Sequence, residues 1–117
     1  MSMYRLSYAE VLQDTASEAR AQERKALEHS IAMLRAAQVA GPKSREGVEA
    51  LSFVRRLWAT LIEDLGNPGN GLPNKLRADL ISIGISIIRE AEDIRLGHTD
   101  NFDDLIEVQA LISEGLK

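Results

Sequence analysis

A chain of 117 residues with no cysteine, 14 Lys plus Arg against 18 Asp plus Glu and a net charge of −4 has room for one domain around one core and none for disulfide or thiolate chemistry. Charges of both signs are interspersed along it, so the concentrated basic face with which nucleic-acid binders displace phosphate counterions is missing. No stretch reaches the ~20 apolar residues of a membrane span, and the opening MSMYRLSYAE lacks a signal peptide's apolar run, so a cytoplasmic protein without membrane insertion is expected.

In chain order, the pattern predicts five helices at roughly 5–13, 16–40, 45–65, 73–96 and 101–115, an all-α single-domain bundle covering 1–117. Ser7 with Glu10, then Thr15 with Glu18, show the capping-box spacing, which sets two successive helix starts. Tyr4, Tyr8, Val11 and Leu12 share one side of the first helix, a segment too short to be stable without a partner surface. The second runs through strong helix formers to Gly41 and Pro42, with Leu27, Ile31 and Leu34 as its apolar stripe. His29 falls opposite that stripe, on a solvated face.

Ser44 is the expected N-cap of the third helix. Its core stripe runs from Val48 through Leu51, Val54, Trp58, Leu61, Ile62 and Leu65. Phe53 and Leu57 lie well away from the stripe's centre, as an apolar surface for a neighbouring helix or another polypeptide to cover. The glycine cluster at 66–71 precedes a helix, yet Leu72 and Pro73 follow where a phosphate-binding loop needs Lys and Ser or Thr, so it reads as a helix cap and turn.

LISIGISII, at 80–88, alternates like a buried strand, but its charged flanks and its place in an unbroken run from 73 to 97 favour helix. Its apolar arc spans more than half the circumference, which predicts the central rod of the bundle, with Gly84 and Ser86 permitting close helix approach. Asp100 is the expected N-cap of the last helix. The carboxylates of Asp100, Asp103, Asp104 and Glu107 suit the backbone dipole of a first helical turn and lack calcium-site spacing. Phe102, Leu105, Val108, Ile112 and Leu116 form its stripe, while Leu111 projects elsewhere. No nucleophile stands beside a base, no metal-ligand spacing is present, and His98 is a loop residue, so neither an enzyme nor a cofactor site is expected.

The order Arg55, Arg56, Leu57, Trp58, a short helix, Asn67, Pro68, then Gly71, Leu72, Pro73, then Leu76, Arg77, Ala78 and an apolar helix resembles the alphaproteobacterial flagellar biosynthesis regulator family FlaF. The likeness continues through Leu105 and Ile106 to Gly115 and Leu116. Val54 and Gln109 depart from it, standing where Asn is common. The resemblance implies a non-enzymatic, chaperone-like factor of flagellum assembly. On the same resemblance the expected partner is flagellin, whose synthesis or export such factors promote, with FlbT, the regulator they act opposite, as a further candidate.

A bundle with surplus apolar surface could receive an amphipathic flagellin segment as a helix in a groove. The candidate lining residues are Phe53, Leu57, Tyr4 and Leu111, with Arg55 and Arg56 as orienting rim charges. Direct RNA binding to flagellin messenger RNA is the alternative, and it needs a basic face that this charge pattern lacks. A module that only dimerises is a third reading.

Overall fold

The computed structural model describes the backbone of residues 8–116 and the side-chain surroundings of residues 17–116. Among the described residues the chain is all helical: α1 (Tyr8–Ala40), α2 (Arg45–Gly66), a one-turn 3-10 segment (Pro68–Asn70), α3 (Asn74–Arg95) and α4 (Asp103–Gly115). The expected fold class holds with one helix fewer, because the segments predicted at 5–13 and 16–40 join into α1. No Gly or Pro interrupts residues 8–40. Without a chain reversal before it, the Thr15/Glu18 spacing lies inside a continuing helix and starts nothing. Ser7, of the other capping-box spacing, lies outside the described residues.

Each turn follows from a few residues. Gly41 adopts φ 103°, and its N–H donates to the Ala37 carbonyl at 2.7 Å, closing α1. The Ser44 hydroxyl then accepts from the Gly47 N–H at 3.0 Å, the predicted N-cap of α2. After α2, the Asn67 side chain accepts from the Gly69 N–H at 2.9 Å, the Arg77 guanidinium donates to the Asn67 carbonyl at 2.8 Å, and Gly71 turns the chain with φ 87°. Pro73 stands just before α3 as its N-cap residue.

LISIGISII lies wholly within α3. The helix ends in a Schellman motif: the Gly97 N–H reaches the Ile94 carbonyl at 3.1 Å and the His98 N–H reaches that of Asp93 at 2.9 Å. The start of α4 differs from expectation. Asp100 is not its cap; Asn101 Oδ1 accepts from the Asp103 N–H at 2.8 Å, so an Asx turn delays the helix and leaves Asp103 and Asp104 in its first turn.

The core joins Leu27, Ile31 and Leu34 of α1, Leu51, Val54 and Trp58 of α2, Ile87 and Ile94 of α3, and Phe102 and Leu105. The central rod is α2, not α3: α2 packs against both α1 and α3, α4 packs against α1, and α3 only grazes α4. Gly84 explains how closely α3 meets α2. A Cβ built there would lie 2.8 Å from Trp58 Cε3 and 2.9 Å from Ile62 Cγ1, so only a glycine fits the crossing without displacement. With α3 drawn onto α2, part of its wide apolar arc stays uncovered: Ile85 is 41% exposed and Leu76 44%. Val48, predicted to open the core stripe of α2, lies in the first turn of that helix and is also exposed, at 60%.

Candidate partner-binding site

The residues that carry the sequence motifs divide between the interior and the surface. Trp58 is 1% exposed, and its indole N–H donates to Gln109 Oε1 at 3.1 Å. Gln109 Nε2 in turn donates to the Leu105 carbonyl at 3.1 Å, so both ends of this buried amide are satisfied within the chain. Val54 is fully buried. The two positions that depart from the family pattern therefore face this chain's own core.

Arg55 is half-buried and donates to Glu92 of α3 at 3.2 Å, tying α2 to α3. Arg95 binds the same carboxylate, and the two guanidinium groups, Arg95 before Arg55, hold Glu92 below the usual carboxylate range. Arg56 is exposed, and its carbonyl accepts from the Thr60 hydroxyl at 3.0 Å. Phe53 and Leu57 are half-buried. The Phe53 ring meets the exposed His29 ring of α1 edge to face, with centroids 5.0 Å apart, and Leu57 packs on the core. Tyr4 lies outside the described residues. His98, expected as a loop residue, places Nδ1 3.3 Å from an Asp93 carboxylate oxygen.

Leu111 is different. It is 74% exposed and lies on the lip of an open groove between α3 and α4, of about 380 Å³. Ile83 and Ile87 of α3 and Val108 of α4 line its floor, and Glu90, Asp104 and Glu107 add carboxylates. Burial pushes the Glu90 carboxyl above the usual range, and neighbouring Asp104 and Asp93 push it further. The helical spacing assigned Ile83, Ile87 and Val108 to core stripes and Asp104 and Glu107 to the helix dipole. The repeat of that spacing on two helices was the one signal for a shared groove.

The fold and its surface define a small all-α bundle with an apolar, acid-rimmed groove open on one side. Among the described residues, no helix is long and apolar enough to cross a membrane. The family described as flagellar protein FlaF matches residues 4–116, nearly the whole chain, and the chain belongs to that family. No curated protein and no solved structure gives a significant match.

Proposed function

We propose that this chain is a cytoplasmic, non-enzymatic factor of flagellum assembly that binds flagellin through an amphipathic segment, promotes its synthesis or export, and acts opposite FlbT. The reading is supported by membership of the FlaF family together with apolar side chains left uncovered along α3 and α4, Leu111 foremost. Flagellin awaiting export keeps amphipathic terminal segments that have not yet found their neighbours in the filament. A bundle with spare apolar surface shields such a segment as a helix in a groove. Control of synthesis is then indirect: flagellin or FlbT held by this protein is withdrawn from acting on the message.

Phe53 and Leu57 retain partial exposure, and Arg56 on the same side of α2 is exposed, which leaves them as further candidates for partner contact. Co-purification of flagellin with the full chain is the test. Capture of flagellin, and of FlbT in the same or a competing complex, is the expected result. A chain that binds neither, in a lysate where both are present, refutes the reading.

A further inference from the structure

On α3, Ile83, Ser86, Ile87 and Glu90 fall at i, i+3, i+4 and i+7. On α4, Asp104, Glu107, Val108 and Leu111 do the same. Two helical faces thus stand side by side and barely touch, the arrangement that admits a third helix laid between them. The described side chains of α1, from residue 17 onward, do not fill it. Among the described residues α1 packs on α2 and α4, and its backbone does not approach that of α3.

The charge on the groove narrows the guest. Three of the groove-lining side chains are carboxylates and none is basic. A neutral guest would strip water from those carboxylates without compensation, and an acidic guest would be repelled. Lysines or arginines flanking a guest's apolar stripe would instead meet Glu90, Asp104 and Glu107 while the stripe covers Ile83, Val108 and Leu111.

We propose that the α3–α4 groove is the docking site for an amphipathic helix of another polypeptide, with apolar residues at i, i+3 or i+4, and i+7 and with Lys or Arg along both flanks. The inference rests on the reading that this protein receives an amphipathic flagellin segment, and it specifies the face used and the charge required.

The test uses the full chain and two fluorescein-labelled synthetic helices that share a leucine stripe, one flanked by lysines and the other by glutamates. Fluorescence anisotropy should show binding of the lysine-flanked helix only. That binding should weaken about tenfold or more in Leu111→Asp and in Glu107→Lys. Both positions are exposed, so circular dichroism and melting should be unchanged.

Purified flagellin is titrated against the same three proteins. Variants that keep full affinity for both the lysine-flanked helix and flagellin overturn the groove while leaving flagellin binding intact. A lysine-flanked helix that binds the wild type and not the variants, with no flagellin binding at all, sustains the groove and overturns the flagellin reading. A wild-type dimer that Leu111→Asp dissociates would put a second copy in the groove and overturn the proposal, as would wild-type protein that binds neither probe.

Discussion

Replacing Gly84 with alanine sets two opposing effects of similar size against each other at the α2–α3 crossing. In an open helix interior the change would stabilise the protein by about 1 kcal/mol, the usual helix-propensity difference. Here the new Cβ would sit 2.8 Å from Trp58 Cε3 and 2.9 Å from Ile62 Cγ1, against the ~3.5–4.0 Å at which carbon atoms pack. Ile62 is partly exposed and can shift. The indole cannot shift cheaply, because it is 1% exposed and its N–H is held by Gln109.

Relieving the overlap therefore means moving α3 outward, and overpacking of this kind costs roughly 1–3 kcal/mol. The net expectation is a loss of about 1 kcal/mol, or a fall in Tm of roughly 3–6 °C for a chain of this size. Urea unfolding followed by circular dichroism reads it directly, with Gly66→Ala as the control. Nothing lies within 4 Å of a Cβ at Gly66, so that variant should be neutral or slightly stabilised. A Gly84→Ala protein stabilised by the full propensity difference would refute the close crossing, and with it the account of why α3 sits on α2.

Three further outcomes follow from buried polar groups. Trp58→Phe leaves Gln109 Oε1 unpaired, and Gln109→Met leaves the indole N–H unpaired; each should cost about 1–3 kcal/mol, and the double variant should cost about 1 kcal/mol less than the sum, measured as a double-mutant cycle in urea. Ser30 is fully buried and its hydroxyl has no hydrogen-bond partner, so Ser30→Ala should raise stability by about 1 kcal/mol. Glu90 has its carboxyl raised by burial, Asp104 and Asp93, so the folded chain binds this proton more readily than the unfolded one. Stability from this group is then fully present below the ordinary glutamate value of 4.5 and lost as pH rises through the raised value. Glu90→Gln should accordingly melt higher than wild type near neutral pH, and the two curves should converge on acidification; a gap constant across pH would refute the assignment.

The helical class, the Ser44 cap, the glycine turn at Gly41, the buried Trp58 and the small-residue approach at Gly84 were all legible, because each depends on spacing or backbone chemistry within one or two turns. What was not legible depends on competition between distant segments. Nothing local says that Thr15 and Glu18 will be read through rather than start a helix; that is decided by the absence of any chain reversal before them. Asp100 and Asn101 both suit the entry to α4, and the Asx turn at Asn101 prevails. The wide apolar arc of α3 was legible, but which part of it would find a partner was not. That partition depends on α3 leaning toward α2, and it leaves Leu111 and its neighbours on the groove, while Phe53 meets His29.

The motif tryptophan also links the interior to the groove. The six-membered edge of its indole faces Gly84 on α3, and its N–H on the other edge is bonded to Gln109 on α4. The ring therefore reaches both helices from α2, and it lines a separate hollow with Leu61, Leu80 and Ile112. The residues next in sequence to these two, Ile83 and Val108, line the floor of the groove. An indole is wide and rigid, so holding it by both edges fixes where α3 and α4 sit relative to α2. A smaller side chain at this position would leave a cavity where the three helices meet. The buried hydrogen bond thus does more than satisfy two polar groups: it fixes the orientation of the ring against which α3 packs at Gly84.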